Sequence, residues 1–357
     1  MNRQILVEDN IGETRAAVVE NGRIVELHLD RWSEAGKRAV EGEVYRGRVR
    51  RVEPALNAAF VDLGVGEEGF LPFGKAGRPK GLHEGAAIGV RVAREAYADK
   101  GPNLALVEVE PGDAPECLEQ ASILAQRLVK AYGEADAVWA DETDFDLEAE
   151  FDAVLDPQTP VPGGGALYIE TTRAMTTVDV DADGRKGQGN AAQLAVALNV
   201  SAAKEAARQA RLRGLGGIIA IDFVHMRGQP DRKAVEQALR GAFKRDRAKV
   251  DIAPLSQFCV GELARQRRGR AIAEILTDRT GALSVESCAL IALRRLMAEA
   301  ISDRSRKQRL EVSPEVHAWL DADRIAWRAA LTERIGPRFD LAENTGLARD
   351  AARVSRA

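Results

Sequence analysis

Three aspartates set in short apolar runs are the residues whose type and spacing best suit chemistry. Asp179 and Asp181 lie in Thr176-Thr177-Val178-Asp179-Val180-Asp181, and Asp222 lies in Ile218-Ile219-Ala220-Ile221-Asp222-Phe223. Ionised carboxylates beside apolar neighbours are costly to bury unless they are paired or bound to a cation. The strand period of two puts Asp179 and Asp181 on one face, and active groups of α/β sheets gather at strand ends. With Asp222 on a neighbouring strand, the three carboxylates make an oxygen-rich site for Mg²⁺. Such an ion activates water and stabilises the charge on a displaced phosphate oxygen. The bland alternative is that each aspartate caps a loop or pairs with an arginine. A histidine mechanism has little support, because His28, His83, His225 and His317 are scattered and only His225 is close in sequence to Asp222.

A formal net charge of -4 argues by itself against a nucleic-acid partner, but the distribution reopens it, with a merely solvated face as the equal alternative for the basic segment. From Glu108 to Asp156 there are 15 acidic and 2 basic residues, a net of -13, whereas from Lys204 to Arg270 there are 16 basic and 7 acidic, a net of +9. Arg208, Arg211 and Arg213 fall at the end of a helix leading into the Asp222 strand, where they are expected to neutralise phosphates. Phe60 and Phe70 stand in short strands near Arg46, Arg48, Arg50 and Arg51. Phenylalanines on a small barrel commonly stack single-stranded bases, although a place in the barrel core is the alternative for each. Lys100, in the turn Asp99-Lys100-Gly101, is either a solvated loop lysine or a phosphate contact.

These groups need a multidomain α+β scaffold. Runs at Arg15–Val19 and Ile24–Leu29 around Glu20-Asn21-Gly22-Arg23 predict an N-terminal hairpin. Short strands with glycine-rich turns from Glu43 to Val109 predict a closed barrel of the OB type. Helical spacing over Pro115–Tyr132 precedes the acidic stretch and a boundary loop, Pro157–Gly165. An α/β layer follows: strands at Ala166–Ile169, Ala174–Val180 and Ile218–Phe223, with helices at Asn190–Leu212 and Arg232–Arg245. From Ser284 the chain reads as helix to Met297, then weaker signals, with a tail after Gly346 expected to fray.

Composition excludes several classes. At 357 residues and 45% apolar content the chain suggests two or three compact units. Met1 precedes the polar run Asn2-Arg3-Gln4, and no stretch approaches the roughly 18 apolar residues of a membrane span, so a soluble, cytoplasmic protein is expected. Cys117, Cys259 and Cys288 are odd in number and never in a Cys-x-x-Cys pair, which indicates neither a disulfide framework nor a zinc knuckle.

The segment Glu43-Val44-Tyr45-Arg46-Gly47-Arg48-Val49, with Arg51 through Gly64 and Gly69-Phe70-Leu71-Pro72, resembles the S1-type RNA-binding domain of the ribonuclease E/G family. Gly164-Gly165 through Ile169-Glu170, Thr177-Val178-Asp179-Val180, Ala207 through Ile219, Ile221-Asp222-Phe223 and Arg245-Asp246-Arg247-Ala248 resemble the family's catalytic domain. The resemblance implies a DNase I-like catalytic unit in which Asp179 and Asp222, 43 residues apart, hold a catalytic Mg²⁺. It also implies that Phe60, Phe70 and Lys100 contact single-stranded RNA beside the scissile bond, and that products carry 5′-phosphate and 3′-hydroxyl ends. The implied divisions are 1–38, an N-terminal hairpin of a split RNase H-like subdomain; 39–112, an S1-type OB fold; 113–162, an acidic truncated RNase H-like linker; 163–280, the DNase I-like domain; and 281–357, a small C-terminal α+β domain.

Three departures accompany the resemblance. Asp181 stands where the family's best-studied members have Asn, which adds charge to the metal site. About 50 mostly acidic residues replace the region that carries the family's Arg-Thr sensor of 5′-phosphates. The zinc-link Cys-Pro-x-Cys expected after Arg265-Gln266-Arg267-Arg268 is absent, so any homodimer is not zinc-linked. The leading expectation is a Mg²⁺-dependent endoribonuclease in RNA processing or decay. The competitor is an RNA-binding protein of the same family with weak or lost cleavage.

Overall fold

The computed structural model describes residues 3–97, 100–133, 136–182 and 190–356. Strands β1 (Arg3–Asn10), β2 (Glu13–Glu20) and β3 (Arg23–Arg31) form an antiparallel meander. The tight turn between β2 and β3 works because Asn21 and Gly22 both take positive φ, 52° and 75°, the backbone that matches strand twist. The expected hairpin is thus two strands of a larger sheet. Its first strand, Arg3–Asn10, carries too many polar residues for alternation to stand out.

β4 (Val44–Glu53), β5 (Ala58–Asp62), β6 (Gly69–Pro72), β7 (Ala87–Arg94) and β8 (Asn103–Leu106) close into a five-stranded barrel in the order β5-β6-β8-β7-β4, with β4 pairing back onto β5. Tyr45, Val49, Ala59, Val61, Leu71, Val90 and Leu104 fill it. The helix expected over Pro115–Tyr132 is only half helix. β9 (Glu116–Glu119) instead pairs with the outer edge of β4, and α1 (Leu124–Tyr132) follows. A partner strand overrides the helical spacing there. β10 (Asp136–Trp139) then adds to β1 in parallel, completing the N-terminal sheet, and α2 (Leu147–Ala153) packs beneath it through Leu147 and Phe151.

The largest core belongs to a six-stranded sheet, β11 (Gln158–Pro160), β12 (Ala166–Thr171), β13 (Met175–Asp181), β14 (Gly217–Asp222), β15 (Val250–Ile252) and β16 (Val260–Arg265), ordered β11-β12-β13-β14-β16-β15. β11 lies within the stretch expected to be a boundary loop. β13 and β14 are parallel, so a crossover must join them, and α3 (Ala191–Leu212) runs between them in sequence. Asn190 starts that helix with a capping box to Gln193. α3 and α4 (Gln229–Phe243) cover one face of the sheet: Leu198, Ala202, Ala206, Val235 and Leu239 bury Leu167, Val178, Val180, Ile219 and Ile221. The alternate residues of the strands face outward.

After α5 (Ile272–Leu276), a smaller unit of α6 (Val285–Ser302), β17 (Gln308–Val312), α7 (Pro314–Asp321), α8 (Trp327–Ile335), β18 (Phe339–Glu343) and β19 (Ala352–Arg356) packs around buried Trp327. The tail expected to fray ends in β19, paired antiparallel with β17. Among the described residues no helix is long and apolar enough to cross a membrane.

The arginines at the end of α3 are not free for phosphates, which corrects the expectation for Arg208, Arg211 and Arg213. Arg211 is buried and donates from Nε to Glu26 at 3.1 Å and from its terminal nitrogens to Glu20 at 3.2 Å. Arg208 bonds Glu205 and the carbonyl of Ile24. Arg213 donates to Gln209 and to the carbonyls of Val154 and Asp156, and burial pushes its pKa down to about 10 despite nearby Asp156. These side chains fasten the helix to the N-terminal sheet and to the segment after α2.

Burial alone would raise the Glu26 carboxyl. Hydrogen bonds from His28 and Tyr132 and the charges of His28 and Arg211 outweigh it and hold Glu26 well below the carboxylate range. Glu20 is lowered too, against its burial, by Arg211 and Arg3. A carboxylate with a depressed folded pKa contributes stability that is complete above its unfolded value, here 4.5, and is lost as pH falls below it. Arg211→Met should therefore cost about 3 to 5 kcal/mol at neutral pH, because it leaves two buried carboxylates without their shared cation. Thermal melts at about pH 7 and about pH 3.5 should show a smaller acid-dependent drop in the variant than in the unaltered chain. Equal drops would mean that this network does not carry the acid sensitivity.

Candidate active site

The register of β13 on β14 runs Met175 to Ile218, Thr176 to Ile219, and so on to Asp179 opposite Asp222. Register partners share a face. Thr176, Val178 and Val180 are buried under the helices, which turns Met175, Thr177 and Asp179 outward; Ile219 and Ile221 do the same for Ile218 and Asp222. The two carboxylates are therefore neighbours on the open face, on strands roughly 5 Å apart. Like charges directly opposite each other are destabilising. A divalent cation relieves the repulsion, and Mg²⁺ is ordinarily held by one or two carboxylates together with water and phosphate oxygens. The donor set fits such an ion.

Asp181, expected as a third ligand, ends the same strand, half-buried, opposite Ala166. Among the described residues no three His, Cys, Asp or Glu side chains are grouped closely enough to hold a metal. Among the described residues the site is a pair, since Asp181 lies two residues beyond Asp179, the last position of β13 that pairs with β14. His225 is exposed three residues past Asp222.

On the barrel, Phe60 and Phe70 are register partners on β5 and β6. Their rings meet edge to face at 5.7 Å with planes 67° apart. Neither belongs to the barrel core, since Ala59, Val61 and Leu71 point inward at the alternate positions. The Arg51 guanidinium lies 4.0 Å from the Phe60 ring centre. The other barrel arginines are committed: Arg46 to Glu110 and Asp113 carbonyls and Glu116, Arg48 to the Ala114 carbonyl, and Arg50 to Asp62.

Lys100 is exposed, its ammonium 5.8 Å from the ring of Tyr97, with which it exchanges two backbone hydrogen bonds of 3.0 Å. Asp99 of that turn lies outside the described residues. Arg94 and Arg267 stand 5.5 and 5.6 Å from the same ring. Arg267 comes from the chain just after β16, so this cluster joins the barrel to the sheet. Gly216 permits the approach, since a Cβ there would stand 2.9 Å from the Arg267 Cα. Tyr97 and Arg267 were not singled out by sequence. A lone tyrosine and an arginine 170 residues later carry no shared local signal.

The structure thus brings Asp179 to Asp222 and Phe60 to Phe70, with the Lys100 turn adjoining β6 through the Phe70 N–H bond to the Pro102 carbonyl at 2.7 Å. It does not bring the two groups into contact. Arg267 follows the end of β16 that pairs with Gly217, whereas Asp222 lies five residues along β14, roughly 16 Å away at strand rise. Between them the open face carries Thr177, Ala220, Met175 and Ile218.

Residues 74–268 match the profile of the Ribonuclease E/G family. The chain is 24% identical to Ribonuclease E of Escherichia coli (strain K12) across 96% of its own length and 45% of that protein. It is 24% identical to Ribonuclease E of Haemophilus influenzae across 90% of its length and 48% of the relative, and so spans about half of these proteins. With Ribonuclease G of Escherichia coli (strain K12) it shares 24% identity over 78% of itself and 82% of the relative. Asp179, Asp222 and Lys100 all fall within the matched segment, and the chain belongs to the Ribonuclease E/G family.

Proposed function

We propose that the chain is a Mg²⁺-dependent endoribonuclease of the cytoplasm that cuts single-stranded RNA in RNA processing or decay. The observation that carries this reading is the in-register pair Asp179 and Asp222 on an otherwise open sheet face. Family membership supports ribonuclease activity, and the carboxylate pair, which forms no ion pair among the described residues, supports a divalent cation. Asp179 and Asp222 would hold the ion, which when bound lowers the pKa of an attacking water and offsets charge on the departing oxygen. Water adds to phosphorus, the bond from phosphorus to the 3′-oxygen breaks, and the proton balance leaves a 3′-hydroxyl and a 5′-phosphate. Phe60 and Phe70 take unpaired bases on the barrel, and Lys100 with Arg267 meets backbone phosphates between barrel and sheet.

In this reading 39–112 serves as an S1-type OB-fold domain and 163–280 as a DNase I-like catalytic domain. Segments 1–38 and 113–162 make one RNase H-like subdomain, supported by β10 joining the sheet of β1 to β3, although at its ends β9 pairs with the barrel and β11 with the sheet that carries the aspartates. Asp179→Asn and Asp222→Asn should each lower Mg²⁺-dependent cleavage of an unstructured RNA by at least about 100-fold while leaving melting temperature and RNA affinity nearly unchanged. Undiminished cleavage in both would remove the metal site. Phe60→Ala and Phe70→Ala should each weaken single-strand binding by roughly 1 to 3 kcal/mol, read by fluorescence anisotropy. A fall in melting temperature with unaltered affinity would make the rings structural.

A further inference from the structure

The row of residues that crosses the sheet through the two aspartates extends beyond them on both sides. Tyr168 on β12 is the register partner of Asp179, so its ring stands on the same face beside that carboxylate, 37% exposed. On the other side, Asp222 pairs with Val260, and the turn leading into Val260 delivers Phe258, 74% exposed. That turn is firmly held. The N–H groups of Phe258 and Val260 both donate to Ser256 Oγ, at 3.2 and 3.1 Å, and Cys259 N–H donates to the Ser256 carbonyl at 3.0 Å. Cys259 turns back in the left-handed region at φ 66°, and its carbonyl accepts from Phe223 N–H, directly after Asp222. The backbone is thus fixed at the aspartate end of the sheet while the Phe258 ring stays in solvent. Two exposed rings thus come from the strand beside Asp179 and from the turn entering the strand beside Asp222.

We propose that Tyr168 and Phe258 are positioning residues that stack the unpaired bases on either side of the scissile phosphate. This rests on the nuclease reading above and names what that site selects. Three strand spacings separate β12 from β16, so the platforms lie roughly 15 Å apart with the carboxylates between them. A phosphodiester seated at the pair has one nucleotide reaching each way, and a base stacks on an aromatic face irrespective of its identity. Bases in a duplex are already stacked and paired, which makes single-stranded RNA the substrate and leaves sequence preference weak. A protein partner fits this face less well, because covering the row would bury two adjacent carboxylates without a cation.

The test uses a short fluorescent single-stranded RNA with the full chain. KM and kcat are measured for Tyr168→Ala, Tyr168→Phe, Phe258→Ala and Phe258→Leu, and Kd for the same changes in the cleavage-deficient Asp179→Asn chain. Each alanine variant, and Phe258→Leu, should raise KM and Kd by about 5- to 100-fold. Tyr168→Phe should restore both to within about threefold, since the ring and not the hydroxyl stacks. Melting temperatures should stay level. Unchanged KM and Kd in a chain that still cleaves would overturn the stacking assignment alone. Failure of the unaltered chain to bind or cut the RNA would overturn the nuclease reading, and this inference with it. A change in assembly mass without a change in RNA affinity would mark the face as a protein interface and would also overturn the proposal.

Discussion

The parallel register between β13 and β14 is the constraint around which the remainder is arranged. It sets two like charges side by side, a pairing that strand chemistry disfavours, and it obliges the chain to travel over one face of the sheet between them. That journey is α3, whose small residues Ala202, Ala203, Ala206 and Ala210 let the helix lie close on Val178, Val180, Ile219 and Ile221. Burial of one face fixes the other by the period of two. The aspartates are exposed because their neighbours in sequence are packed.

The same helix explains why the concentration of positive charge was misleading in detail. Arg208 and Arg211 lie on the side of α3 that meets the N-terminal sheet, and Arg213 follows its end beside the segment after α2; their charges are spent on Glu205, Glu20, Glu26 and backbone carbonyls. A guanidinium shared by two buried carboxylates is strongly bound and unavailable to a phosphate. Arg265 is likewise held by Asp246. Near the half-buried aromatics Lys100 adjoins Tyr97, while Arg51 also pairs with Glu53 at 3.7 Å and Arg267 with Glu274 at 3.3 Å.

Much of the six-stranded sheet was legible in the sequence because its signals are local. Alternation in Thr176–Asp181, the amphipathic run Asn190–Leu212 and the apolar run before Asp222 each specify an element with no reference to distant residues. The Phe60–Phe70 pairing follows from two strands separated by one turn. What could not be read depends on long-range partners. Arg211 meets its acids across 185 and 191 residues, and no local pattern distinguishes an arginine so paired from one facing solvent. Glu116–Glu119 becomes a strand only because the edge of β4 is there to receive it, and Ala352–Arg356 is ordered only by β17. For Asp181 the period of two chose a face but could not show that pairing with the neighbouring strand ends two residues earlier, at Asp179.

The central claim is that Asp179 and Asp222 form one cation site. Manganese, a paramagnetic substitute for Mg²⁺, can be titrated into the ¹⁵N-labelled chain while amide line broadening is followed by NMR. Broadening should begin at the amides of residues 178–180 and 221–223 together, and Mg²⁺ in excess should reverse it. Broadening that begins in the acidic segment 108–156, or that reaches one aspartate strand without the other, would contradict a shared site.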